Sequence, residues 1–164
     1  PVTILRPFNT YGPRQSIRAV IPTIIFQILK GANSINLGSV NPTRDFSYID
    51  DTVEAFVKAI KTNKGTGDTI NIGSNFEISI KNTVNLISQL MGKKITIKKE
   101  KKRLRPKTSE VDRLLASNKK AKKMLKWKPN YSGLKGFKNG LSKTIKWFSQ
   151  QKNLSMYKDD SFSL

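Results

Sequence analysis

Short runs of β-branched residues alternate along this chain with longer stretches in which apolar residues recur every three or four positions. Residues 2–6 are typical of a buried strand in a parallel sheet, and residues 19–29 have the spacing of an amphipathic helix. Further strands are predicted at Ser34–Leu37, Thr69–Ile72 and residues 95–99. This order of strands and helices predicts an α/β fold with short, irregular strands in its second half.

Polar side chains ahead of the remaining periodic stretches predict where helices begin. Asp50 or Asp51 is expected to cap a helix, and Ser79 is expected to cap the next one. Residues 110–116 are strand-like, and Ser117 after them is expected to cap a short lysine-rich helix. A last helix with one apolar stripe follows.

The chain contains no cysteine and no histidine. Without cysteine, disulfides, Cys-ligated zinc and thiol nucleophiles are excluded. Without histidine, the commonest general base and metal ligand is missing, so we predict no metal site. No apolar run reaches the roughly 18 to 20 residues that span a bilayer, and no signal peptide is recognisable, so the cytoplasm is the expected location.

A net charge of +20 is the usual mark of a protein that binds nucleic acid or an anionic surface. However, 24 lysines stand against 7 arginines, and isoleucine and asparagine are also abundant, as an AT-biased genome would produce. A nucleic-acid-binding protein is expected to favour arginine and to interleave aromatic residues. A solvated basic face is therefore favoured, and a polyanion-binding surface remains the alternative.

Three segments carry residues suited to an anionic ligand. Residues 5–15, LRPFNTYGPRQ, set Asn9 after a predicted strand, at the edge where open α/β sheets bind ligands. Residues 37–51, LGSVNPTRDFSYIDD, contain Arg44, whose planar guanidinium suits phosphate oxygens. The third segment begins at Arg105. Arg105 is the residue of this third segment that is suited to the same chemistry.

Each segment also has a plainer interpretation. Asn9, Gly12 and Pro13 can simply shape a turn, and Arg44 can be an exposed structural arginine. Trp127 is expected to pack in the core. Taken singly, none of the three segments specifies a function.

Taken together and in order, RPFNTYGPRQ, TRDFSYIDD and an RP pair followed by LLASNKKAKKMLKWKP resemble the extended short-chain dehydrogenase/reductase family of NAD-dependent sugar-nucleotide epimerases and dehydratases. The resemblance runs from Pro1 to about Gln150. RPFNTYGPRQS followed by AVIPTII is most similar to the UDP-N-acetylglucosamine 4,6-dehydratases of the legionaminic-acid type. It implies the C-terminal part of an NAD(P)-binding Rossmann-fold enzyme, made of the last sheet strand and a small substrate-binding α/β domain.

The resemblance implies roles around the diphosphate and the cofactor. Pro7 and Phe8 are expected beside the nicotinamide of NAD, which the rest of the enzyme would mainly bind. The amide of Asn9 is expected to bond the substrate diphosphate. Arg44 and Arg105 are expected to clamp that diphosphate from two loops.

The nucleoside side of the site is implied in the same way. Ile21 and Pro22 are expected to wall the uracil of a UDP-linked sugar. Leu37 and Gly38 are expected to face the nucleoside, and Glu110 is expected to position the loop beside the substrate.

The family's Gly-rich dinucleotide turn, its Tyr-x-x-x-Lys pair and its Ser or Thr partner are expected upstream of Pro1. Tyr131 and Lys135 match the bare spacing, but Tyr131 lies in a predicted loop before the last helix, far along the chain from the family's catalytic helix, and we interpret the match as chance. We therefore expect no catalytic residue in this chain and no turnover by the chain alone.

The implied domain boundaries follow from the same likeness. Residues 1–16 are expected to end the Rossmann domain, residues 17–150 to form the substrate-binding region with returning Rossmann elements, and residues 151–164 to form a flexible tail. The first strand is expected to lack its neighbours and to leave apolar surface exposed. The sequence thus predicts the nucleotide-sugar-binding portion of a homodimeric 4,6-dehydratase or epimerase, and a basic polyanion- or nucleic-acid-binding module is the alternative.

Overall fold

A computed structural model describes residues 1–104 and 106–157 of the protein. The strands are β1 (Ile4–Pro7), β2 (Asn9–Tyr11), β3 (Ser34–Leu37), β4 (Thr43–Tyr48), β5 (Thr69–Ile72), β6 (Glu77–Ser79) and β7 (Thr96–Lys99). The α-helices are α1 (Val20–Leu29), α2 (Ile49–Ile60), α3 (Ile80–Leu90), α4 (Lys119–Leu125), α5 (Gly133–Phe148) and α6 (Gln151–Leu154). None of these helices is both long and apolar enough to cross a membrane.

The described residues fall into two compact units. Unit 1 comprises Pro1–Gly12, Thr43–Ile78 and Arg113–Gly140, and unit 2 comprises the described parts of Pro13–Pro42, Ser79–Asp112 and Leu141–Leu164. Each unit draws on three separate stretches of chain. The predicted α/β class is confirmed, because each unit combines parallel strands with helices.

Unit 1 contains two small sheets. β1 pairs in parallel with β5, and β2, β4 and β6 form the second sheet in the order β2-β4-β6, with β2 parallel to β4. The core beside β5 consists of Ala55, Ile70, Ile72, Ala121, Leu125 and Trp127. Trp127 is therefore a core residue, as predicted.

The first strand lies at the surface of unit 1. Ile4 is 53% exposed and Val2 is 69% exposed, so the prediction of a buried strand is wrong for this chain. Within the described residues, β1 pairs with β5 alone, and no second strand covers its other edge. The exposed apolar surface agrees with the prediction for a first strand that lacks its neighbours.

Unit 2 is built on α1, whose residues from Ile21 to Phe26 are all buried, together with Ile28. Pro22 occupies the first turn of this helix, where its missing N–H is tolerated. β3 pairs in parallel with β7. The Ser79 cap of α3 is confirmed, because its Oγ accepts a hydrogen bond of 3.1 Å from the backbone N–H of Asn82.

Several local predictions need correction. β2 and β6 were not predicted, since three-residue strands leave too short a pattern. Residues 110–116 form no strand among the described residues and contribute only an isolated bridge from Arg113 to Thr43. Asn118, not Ser117, precedes α4, and its side chain makes no capping bond. In the predicted tail, Gln151–Leu154 form α6, and residues 158–164 lie outside the described residues.

Candidate functional site

The strand pair at the start of unit 1 ends where the chain changes its partner. Pro7, the last residue of β1, lies opposite Ile72 of β5, and the N–H of Phe8 donates to the Ile72 carbonyl at 2.8 Å. Asn9 then opens β2 and lies opposite Phe46 of β4. The change of partner at Phe8 places Pro7, Phe8 and Asn9 at the carboxyl ends of β1 and β5, the usual ligand edge of a parallel sheet.

The structure brings two of the predicted diphosphate ligands to neighbouring positions. Asn9 Nδ2 donates to the backbone carbonyl of Asp45 at 3.2 Å, so its side chain lies against the residue that follows Arg44. Arg44 is only 9% exposed, which rules out the interpretation as an exposed structural arginine. Its Nη1 donates to the carbonyl of Thr43 at 2.8 Å. Asn9 and Arg44 thus share one corner of unit 1.

A buried carboxyl group that the sequence analysis missed fixes this corner. Asp45 Oδ1 accepts from the N–H and the hydroxyl of Ser74, at 2.7 and 2.6 Å. Its Oδ2 accepts from the N–H groups of Asn75 and Ala116, at 3.0 and 3.1 Å. A side chain at Gly73 would approach the Ala116 Cβ to 2.2 Å, so glycine is required there. The available signal was an ionisable aspartate inside the strand sequence TRDFSY, because a buried carboxylate needs hydrogen-bond partners.

The predicted capping role of Asp50 or Asp51 is wrong. Tyr48 is the N-cap residue of α2 and its side chain makes no capping bond, whereas both aspartates lie inside the first turn of the helix. Asp51 instead accepts the backbone N–H groups of Asn130 and Tyr131, at 2.8 and 2.9 Å. Burial raises the pKa of Asp51, and these two N–H groups act to lower it. Asp51 therefore ties the loop before α5 to α2.

The described tyrosines of unit 1 are packing residues. Tyr11 is 1% exposed, its hydroxyl donates to the Phe137 carbonyl at 3.3 Å, and burial raises its pKa well above the usual range. Its ring meets those of Phe46, Tyr48 and Phe137 edge-on. Tyr131 packs on Tyr48 with ring centroids 4.4 Å apart. A tyrosine with so high a pKa stays protonated and is poorly suited to act as a base.

The predicted nucleoside contacts belong to unit 2. Ile21 and Pro22 are buried within α1, and Leu37 is buried at the end of β3. A side chain at Gly38 would come within 2.3 Å of the Arg103 carbonyl, so close backbone contact requires glycine there. Glu110 is half-buried in the same unit. Arg105 lies outside the described residues, and its predicted role stays a prediction.

A separate cavity of about 590 Å³ lies between α2 and α4 in unit 1. Six lysines line it: Lys58, Lys119, Lys122, Lys123, Lys126 and Lys128. Among the described residues of its lining, Glu54 is the one carboxylate, and it pairs with Lys58 at 2.9 Å. Of the residues predicted to bind substrate or cofactor, those that the structure describes do not line this strongly cationic cavity.

The β1–β5 pair thus delivers Pro-Phe-Asn to its carboxyl end, and the buried Arg44 lies on β4, which pairs with β2. The profile of the family described as GDP-mannose 4,6 dehydratase matches residues 1–140. The chain belongs to this family, which confirms the resemblance inferred from the three sequence segments.

Characterised relatives and solved structures agree. UDP-N-acetyl-alpha-D-glucosaminuronate decarboxylase of Bacillus cytotoxicus is 36% identical over 158 residues, which cover 93% of this chain and 48% of that protein. The dTDP-D-glucose 4,6-dehydratase of Homo sapiens is 33% identical over 156 residues, covering 92% of this chain and 42% of its own length. UDP-glucuronic acid 4-epimerase from Bacillus cereus, solved with UDP-glucuronic acid and NAD, superposes with a TM-score of 0.80 at 31% identity, covering 92% of this chain and 46% of that one. The chain spans less than half the length of these relatives.

Proposed function

We propose that this chain is the nucleotide-sugar-binding portion of an NAD-dependent 4,6-dehydratase or epimerase that acts on a UDP-linked hexose. The observation that carries the proposal is the corner of unit 1 where Asn9, just past the carboxyl end of the β1–β5 pair, bonds the backbone of Asp45, the residue after the buried Arg44. An amide donor and a guanidinium fork are the groups that suit diphosphate oxygens. Arg105 would add a second positive charge, as the family resemblance implies.

The residues present fit NAD only in part. Pro7 and Phe8 offer an apolar surface at the end of β1, suited to a nicotinamide ring, but neither side chain can bond a pyrophosphate. The sequence contains no Gly-rich dinucleotide turn. NAD would therefore be held mainly by polypeptide outside this chain. When bound, it would supply a hydride acceptor for C4 of the hexose.

The outer face of α2 supports the view that the chain works as one part of a larger enzyme. Val53, Phe56, Val57 and Ile60 recur at helical spacing on this face, and they are 52%, 44%, 42% and 85% exposed. Ala55, on the opposite face, is fully buried. A contiguous apolar face that is exposed on a helix usually marks a surface that another polypeptide covers. Polypeptide that the longer relatives possess and this chain lacks would cover it.

The direct test is calorimetric titration with UDP-N-acetylglucosamine, comparing the wild type with Arg44→Ala and Arg105→Ala. Each charge-assisted bond contributes about 1.5 to 3 kcal/mol, so either substitution should weaken binding about tenfold or more. Arg18→Ala, at an exposed arginine of unit 2, is the matched control and should bind normally. Saturable binding that is insensitive to Arg44 would contradict the assignment of the site.

The second candidate function, a polyanion-binding module, is favoured by the lysine-lined cavity between α2 and α4. It predicts affinity for a phosphate polymer that falls steeply with salt and depends on Lys122 and Lys126 but not on Arg44. The nearest aromatic residue, Trp127, is 1% exposed and cannot stack on a base. We rank the polyanion-binding function second for this reason.

Homodimer formation and cytoplasmic location of the whole enzyme remain part of the first proposal.

A further inference from the structure

An ion pair at the surface of unit 1 joins three stretches of chain. Arg113 Nε lies 2.9 and 2.8 Å from the two carboxylate oxygens of Glu77, and its Nη2 lies 2.6 Å from Oε1. The hydroxyl of Thr43 donates to the same carboxylate at 2.8 Å. These bonds, Arg113 first and Thr43 second, hold the pKa of Glu77 below its usual range. Glu77 thus connects the start of β6, the start of β4 and the segment at Arg113.

The pair is too exposed to matter much for folding. The side chain of Arg113 is 67% exposed and that of Glu77 is 25% exposed. Exposed ion pairs contribute little to stability, because water screens the charges and the side chains lose entropy. However, a forked arginine–carboxylate contact restricts geometry more strongly than it stabilises the fold. A positional role is the natural interpretation.

The residue that receives this restraint adjoins Arg44. Thr43 offers its carbonyl to Arg44 Nη1 at 2.8 Å and to the N–H of Leu114 at 3.1 Å. Its hydroxyl is at the same time bonded to Glu77. On the other side of Arg44, the carboxyl group of Asp45 collects four donors from two further segments. Arg44 is therefore flanked on both sides by residues whose positions are fixed by carboxyl groups.

We propose that Glu77 and Arg113 are positioning residues that hold the Arg44 guanidinium in place before a nucleoside diphosphate binds. The inference rests on the proposed function, which makes Arg44 a diphosphate ligand. A long side chain that is already immobilised loses less entropy on binding. Loss of Glu77 should therefore weaken diphosphate binding without unfolding the protein.

The experiment uses the full chain with UDP as the probe and compares Glu77→Gln and Glu77→Ala with the wild type. Glu77→Ala removes both the charge and the acceptor for Thr43, and it should weaken UDP binding about tenfold, the coupling usual within one hydrogen-bond network. Glu77→Gln keeps an acceptor for Thr43, so its affinity for UDP should lie between those of the wild type and Glu77→Ala. Asp68→Asn, which breaks the exposed pair with Lys120, is the matched control and should bind like the wild type.

NMR of the arginine Nε–H groups reports on the Arg44 side chain directly, and a change in overall stability alone would not alter this signal. The Arg44 signal, assigned through Arg44→Lys, should exchange faster with water in both Glu77 variants but not in Asp68→Asn, at equal melting temperatures. An unchanged Arg44 signal and wild-type UDP affinity in folded Glu77→Ala overturn the inference while the proposed function stands. A folded wild type that fails to bind UDP, with an Arg44 signal that still depends on Glu77, overturns the proposed function while the positioning of Arg44 stands.

Discussion

Units 1 and 2 are held together in different ways. In unit 2, α1 buries seven residues, all of them apolar except Thr23, and two hydrogen bonds between Gln27 and Asn36 add to this packing. In unit 1, α2 buries Asp51, Thr52 and Ala55 and leaves an apolar outer face exposed. There the carboxyl groups of Asp45 and Asp51 gather backbone N–H groups from distant segments. Hydrogen bonds are directional and apolar contacts are not. The geometry of unit 1 is therefore fixed around the residues that we propose to bind the diphosphate.

The largest expected effect comes from Asp45→Asn in unit 1. An amide retains one acceptor oxygen but turns an NH2 group toward two N–H donors, those now bonded to Oδ2. Two buried donors without partners should lower the free energy of unfolding by about 4 kcal/mol. Chemical denaturation measures this loss. Asp68→Asn, at an exposed carboxylate, is the control, and an equal effect of the two variants would refute the structural role of Asp45.

A core truncation in unit 2 should have the next largest effect. Ile25 is fully buried in α1, so Ile25→Ala should lower the free energy of unfolding by about 3 kcal/mol through lost burial and an unfilled cavity. Leu134→Ala, at a side chain that is 55% exposed, should change it by less than about 0.5 kcal/mol. Denaturation of both variants provides the comparison. A loss at Leu134 as large as at Ile25 would contradict the assigned burial.

The polar contacts of unit 1 should also make its stability depend on pH. Burial raises the pKa of Asp51, so folding favours its protonated form. The stabilisation that Asp51 provides is fully present below the pKa of an unfolded aspartate, about 4. It is lost as pH rises through the raised pKa of Asp51 in the folded state. Relative to Asp51→Asn, the wild type should therefore lose stability with rising pH. Urea denaturation between about pH 4 and pH 7 measures this difference.

Glu77 offers a control of opposite sign. Arg113 and Thr43 lower the pKa of Glu77 in the folded protein. Its contribution to stability is therefore present above the pKa of an unfolded glutamate and disappears as pH falls through the lower pKa of the folded state. Relative to Glu77→Gln, the wild type should thus lose stability only in acid. For each site, the difference in stability between the wild type and the variant is plotted against pH. If the plots for Asp51→Asn and Glu77→Gln have the same slope, the two carboxyl groups do not differ as the structure indicates.

The smallest effect on stability is expected at the outer face of α2. Phe56→Ser with Ile60→Ser should change the free energy of unfolding by no more than about 1 kcal/mol, because both side chains are already exposed. Self-association should decrease, since an apolar stripe is removed from the surface. Sedimentation of the variant and of the wild type tests this. Undiminished association would mean that another surface is responsible.

Prediction of the family from sequence succeeded, because the three segments carry that information. The roles of Asn9 and Arg44 as substrate ligands stay predictions; the structure shows Asn9 bonded to the backbone of Asp45, the residue after Arg44. The capping role of Asp51 was wrong because a helix start and a loop-binding carboxylate leave the same local pattern. Asp45 escaped notice because its donors come from residues 29 to 71 positions away.

The sequence by itself determined the helices with strong apolar periodicity, the Ser79 cap and the family. The helices and the cap depend on residues a few positions apart, and the family depends on the order of three short segments, so patterns along the chain specify all of them. Only the tertiary structure decided that β1 and β2 pair with different strands, that Asp45 fixes the corner beside Arg44, and that α2 exposes its outer face. These features depend on which distant segments lie side by side, and no local pattern records that.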